Sequence, residues 1–120
     1  MTEGTLARKI ADILYDKKAK DIVVLKVEHL TVLTDYLVIA TGRSAIQVKA
    51  LAEEVDDRLA EEGVALRRKE GQNEGRWIVM DYATVMVHVF HQEERTFYNL
   101  ERLRDDGHNR VLLPFQQENA

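Results

Sequence analysis

The residues best suited to chemistry gather late in the chain, where His88 and His91 are followed by Glu93 and Glu94. Imidazole and carboxylate together are the donor set of zinc and similar cations, so this group is the first candidate for a metal centre. Coordination needs rings that converge, and a strand continuing through Phe90 sends His88 and His91 to opposite faces. No metal and no cofactor is expected. Ser44 is the candidate nucleophile, but its neighbours do not form the glycine-flanked elbow of a hydrolase. Gln47, three residues on, completes a capping box that accounts for the serine. Gly42-Arg43-Ser44 ahead of a helix offers backbone N–H groups to a phosphate, yet one glycine without a following Gly-Lys-Ser/Thr falls short of a P-loop. With no cysteine in the chain, thiol catalysis, thiolate metal sites and disulfides are excluded. No catalytic residue is assigned, and the domain is expected not to be an enzyme.

Binding residues are better represented. Arg67, Arg68, Lys69 and Arg76 surround a turn beside Trp77, a combination that can meet RNA backbone and offer one stacking surface. The formal net charge of −4 opposes sequence-specific nucleic-acid binding. Solvated protection of a strand edge is the ordinary role of such charges, with peripheral RNA contact as the remaining one. Trp77, Met80, Tyr82 and Tyr98 are residue types that anchor protein interfaces. Alternation along a strand puts Trp77, Val79 and Asp81 on one face and Ile78, Met80 and Tyr82 on the other, and sequence leaves open which face meets solvent.

These residues need a frame. Leu6, Ile10, Ile13 and Leu14 recur at helical spacing and predict a first amphipathic helix. Asp21 to Val27 reads as a strand, expected to be interior because four successive apolar residues can bury both faces. Asp35 to Thr41 is the second strand, ending at Gly42. The longest helix starts near Ala45, buries Val48, Leu51, Ala52, Val55 and Leu59, and ends at Gly63. Val64 to Glu70 is a third strand. Arg76–Asp81 and Val85–Phe90 form an antiparallel hairpin around Tyr82-Ala83-Thr84. Gln92 to Arg104 is a closing helix with Phe97, Leu100 and Leu103 inward. Val111 to Phe115 either docks on the domain or frays.

Alternating helices and strands imply an α/β fold, a mixed five-stranded sheet flanked by helices. At 120 residues, 45% hydrophobic and 32% charged, the chain is expected to be a single globular domain. Glu3, Arg8 and Lys9 interrupt the apolar positions near the start, unlike a secretory signal, and no apolar run approaches the ~20 residues that span a bilayer. A cytoplasmic location without membrane contact is expected.

Three ordered stretches narrow the reading: Thr34-Asp35-Tyr36-Leu37-Val38-Ile39-Ala40-Thr41-Gly42-Arg43-Ser44, Glu74-Gly75-Arg76-Trp77-Ile78-Val79-Met80-Asp81-Tyr82, and Val87-His88-Val89-Phe90 with Glu93-Glu94-Arg95-Thr96-Phe97-Tyr98-Asn99-Leu100-Glu101. Together they resemble the ribosomal silencing factor family, RsfS or Iojap, from about Leu6 to Leu103, so that residues 1–104 are expected to form that domain and 105–120 a C-terminal tail. The resemblance implies a nucleotidyltransferase-like fold. It also implies a factor that binds the large ribosomal subunit through ribosomal protein fourteen of that subunit and sterically blocks subunit joining, repressing translation. Its binding surface falls on Trp77, Met80, Asp81, Tyr82, Glu94 and Tyr98, the first two and Tyr98 supplying apolar contact and the acids facing basic side chains. Peripheral rRNA contact and a homodimer remain open within it. Two positions depart from the family: Ala83-Thr84 stands where relatives often carry glycine and an acid, and Arg104 where a tryptophan is common. The alternatives are a nucleotidyltransferase-like enzyme, disfavoured because no Asp-x-Asp pair follows Gly42-Arg43-Ser44, and an RNA-contacting ribosome assembly factor.

Overall fold

The computed structural model describes residues 3–30, 33–100, 102 and 105–115, without the side chains of Glu3, Phe97 and Tyr98. Its elements are α1 (Glu3–Asp16), β1 (Lys20–Lys26), β2 (Tyr36–Gly42), α2 (Ala45–Glu61), β3 (Arg68–Glu70), β4 (Trp77–Asp81), β5 (Val85–His91) and α3 (Gln92–Tyr98). The strands form one mixed sheet in the order β1-β2-β5-β4-β3, with β2 and β5 parallel and the other neighbours antiparallel. A parallel pair cannot be joined by a tight turn, and here α2 together with β3 and β4 forms the crossover between β2 and β5.

One face of the sheet is sealed by α1 and α2. Ile10, Ile13 and Leu14 of α1 and Val48, Leu51 and Leu59 of α2 pack against Val24, Val38, Ile78, Met80 and Val87. The capping box is present: Ser44 Oγ accepts from Gln47 N–H at 3.1 Å, and Gln47 Oε1 accepts from Arg43 N–H at 2.6 Å. Polar side chains of the chain itself therefore satisfy N–H groups at the start of α2 that a phosphate would otherwise meet. Gly63 ends the helix at φ 78°, with Val64 N–H reaching back to Leu59 C=O at 2.9 Å.

Three expectations change. β1 is an edge strand, not an interior one. Val23, Val24 and Leu25 are nonetheless buried because the C-terminal segment lies along that edge. Val111 N–H donates to Val24 C=O at 2.9 Å, and Lys26 N–H to Asn109 C=O at 2.8 Å. Leu113, at 0% exposure, enters the main core, and the Phe115 ring stacks on Tyr15 at 4.2 Å. Docking is thus the alternative realised for Val111–Phe115. Second, β3 is only Arg68–Glu70; Val64 and Leu66 precede it as irregular chain packed against the core. Third, the expected helix is interrupted: α3 stops at Tyr98 because Asn99 takes the left-handed conformation, φ 47°, with its N–H on Arg95 C=O at 2.9 Å, and Leu100 and Arg102 are helical again beyond it. Leu100 packs on the second face of the sheet, while Leu103 and Arg104 lie outside the described residues. Among the described residues, no helix is long and apolar enough to cross a membrane.

Candidate partner-binding surface

The hairpin register settles which way each late-strand residue points. Trp77 pairs with Phe90, Val79 with His88 and Asp81 with Met86, and the turn closes with Tyr82 N–H on Val85 C=O at 3.0 Å. Ile78, Met80 and Tyr82 therefore face the helices, where Met80 is 0% and Tyr82 5% exposed. The Tyr82 hydroxyl is buried without a hydrogen-bond partner, and that burial raises its pKa. Trp77, Val79 and Asp81 share the opposite face, each only partly buried.

The six expected contact residues are thus not brought to one surface. Met80 and Tyr82 belong to the core. Asp81 is on the open face, with Oδ1 accepting from Ala83 N–H at 2.7 Å, so it also shapes its own turn. Glu94 lies across from the start of β4, and the Tyr98 side chain lies outside the described residues.

Trp77 is held from below. Its indole N–H donates to His88 Nδ1 at 3.0 Å and its ring stacks on Phe90 at 4.9 Å. Burial lowers the His88 pKa to about 4, so the imidazole is neutral at ordinary pH, with Nδ1 as acceptor and the proton on Nε2. From the side, Arg76 forks onto α3, donating from Nε to Glu94 Oε1 at 2.7 Å and from Nη2 to Glu93 Oε2 at 2.8 Å. The second Glu94 oxygen is buried without a hydrogen bond, 3.9 Å from His91 Nδ1. His91 Nδ1 instead caps α3 by accepting from Glu93 N–H at 3.3 Å. His88 and His91 therefore serve different neighbours, and among the described residues no three His, Asp or Glu side chains converge as metal ligands.

Beyond Trp77 the surface continues over Val79 and Met86 into a shallow depression of about 140 Å³, rimmed by Arg68, Glu70 and Asp81. Sequence reasoning missed Val79 and Met86 as surface residues. Their signal was the alternation from Trp77 and the pairing across the hairpin, which become informative once one face is known to be covered. Two of the four basic residues around the turn have acidic partners: Arg68 lies 3.4 Å from Glu70, and Arg76 serves two glutamates. With Glu70, Asp81, Glu93 and Glu94 against Arg68 and Arg76, the rim is acidic on balance.

The family model described as "Ribosomal silencing factor during starvation" matches residues 2–120. A ribosomal silencing factor RsfS of Bacillus subtilis is 40% identical over 107 residues, covering 89% of this chain and 91% of that protein. A chloroplastic Iojap protein of Arabidopsis thaliana is 33% identical and covers 93% of this chain, which spans 46% of that longer protein. Among solved structures, a crystal structure of a Chromobacterium violaceum protein superposes with a TM-score of 0.84 at 38% identity, covering 87% of each chain.

Proposed function

Because the chain belongs to the ribosomal silencing factor family, RsfS, we propose that its open sheet face docks on the large ribosomal subunit through ribosomal protein fourteen and keeps the small subunit away by bulk. The observation that carries this reading is the mounting of Trp77, fixed from beneath by His88 and Phe90 and flanked by the half-open Val79 and Met86. A large aromatic whose position is set before binding loses little freedom on contact, which favours it as an anchor. The acidic balance of the rim suits a basic partner and speeds encounter. An ordinary interface of roughly 800 Å² per partner is within the reach of this face.

Repression of translation then needs no bond making or breaking, since two bodies cannot fill one volume. On this reading the domain has no enzymatic activity, any likeness to nucleotidyltransferases would be one of architecture alone, and the domain acts in the cytoplasm. Trp77, Asp81 and Glu94 form or support the contact, Tyr98 extends it on α3, and Met80 and Tyr82 hold the strand from inside. Co-sedimentation with purified large subunits tests this. The parent protein is expected in the pellet and Trp77→Ala to lose binding by about 2 kcal/mol, some thirtyfold. Equal pelleting of both would contradict the assigned surface.

A further inference from the structure

Arg76, next to Trp77, is spent on two carboxylates, but the same end of the sheet carries cations that are not. Along the strand order β1-β2-β5-β4, Lys20 pairs with Thr41, Gly42 pairs with His91, and His91 N–H donates to Arg76 C=O at 2.8 Å. Lys20, the loop that opens with Arg43, and Trp77 therefore lie in one row across the strand ends. The Gln47 side chain ties two loops of this row together, accepting from Arg43 N–H at 2.6 Å and donating to Lys18 C=O at 3.4 Å. A Cβ added at Gly75 would lie 2.9 Å from Lys49 Cε, so the Lys49 stem rests two residues ahead of Trp77.

Lys18, Lys20 and Arg43 are exposed and Lys49 is half-buried. Among the described residues none of the four makes an ion pair, whereas neighbouring Lys17 meets Glu54 and Asp16 meets Arg58. With Glu93 and Glu94 held by Arg76, the carboxylates left at this end are Asp21 and Glu74, and the row is basic on a chain whose net charge is −4. A single phosphate needs donors that converge, while cations spread over strands about 4.8 Å apart match a repeating anion. Ile46, at the start of α2, is 82% exposed but is one aliphatic side chain, far short of the apolar face that holds a helix on a membrane.

We propose that this row of cations meets the phosphodiester backbone of RNA, giving the docked domain a second foothold beside its Trp77 contact. It rests on the docking reading above in taking that RNA to belong to the large subunit. The test measures binding of the full chain to large subunits and to naked rRNA fragments between about 0.05 and 0.3 M salt. Lys18→Gln, Lys20→Gln and Arg43→Gln combined are expected to weaken low-salt affinity about tenfold and to flatten the log–log salt slope by about 2. Lys18→Arg, Lys20→Arg and Arg43→Lys combined keep most of that slope, because phosphate attraction needs the charge and not the side chain's shape. A glutamine triple that matches the parent in affinity and slope overturns the row and leaves the docking reading intact. Parent protein that ignores subunits but binds naked rRNA fragments, with that binding lost in the glutamine triple, supports the row and sinks the docking reading. Binding to vesicles of anionic phosphatidylglycerol, with rRNA fragments left unbound, assigns the row to a membrane surface and overturns the proposal.

Discussion

At the residue scale, His88 links stability to the surface it supports. Its pKa lies near 4 in the fold because burial disfavours the imidazolium, against about 6.5 in an unfolded chain. The unfolded state then binds the proton first, so stability is full above pH 6.5 and falls as pH drops through the window between the two values. Denaturant titrations at pH 7 and pH 5 should differ by about 2 kcal/mol in the parent, and by clearly less in His88→Gln. Ala83 supplies a second prediction. It holds φ 72° in the hairpin turn, the departure from glycine noted in the sequence, and the register survives because Asp81 pins the Ala83 N–H. Left-handed backbone is strained for alanine, so Ala83→Gly should raise unfolding stability by about 1 kcal/mol without changing the hairpin. The alternation of Trp77 and Met80 was legible before the fold. Their exposure was not, because a strand pattern carries period but not the identity of the covering layer.

At the element scale, β1, β2, β4, β5 and both long helices followed from apolar spacing, and α2 also from its capping box and terminal glycine, whereas β3 is three charged residues that no apolar spacing marks. The misreadings concern where an element ends, as in β3 and α3, or what lies beside it, as in β1. Four apolar residues in β1 signalled burial of both faces, but the outer edge is covered by a segment more than eighty residues away in sequence, which no local pattern announces. Asn99 breaks the closing helix with a left-handed residue, an interruption that an apolar pattern continuing past it to Leu103 does not reveal. The C-terminal segment is accordingly structural. Leu113→Ala removes a fully buried side chain from the main core and should cost about 2–5 kcal/mol, read as a lower midpoint in denaturant with an unchanged slope.

At the scale of the whole molecule, the two faces of the sheet divide the labour. One is sealed by α1 and α2; the other carries Trp77, Val79, Asp81 and Met86 on β4 and β5, with α3 braced alongside by Arg76. On the proposed docking, its potency should follow the integrity of that face more than any ionisable group within it. The direct test is subunit joining, followed by light scattering or gradient sedimentation, with large subunits pre-incubated with excess protein before small subunits are added. Joined particles are expected to fall sharply with the parent protein and much less with Trp77→Ala or Met86→Glu. Unchanged joining at saturating parent protein would contradict the account.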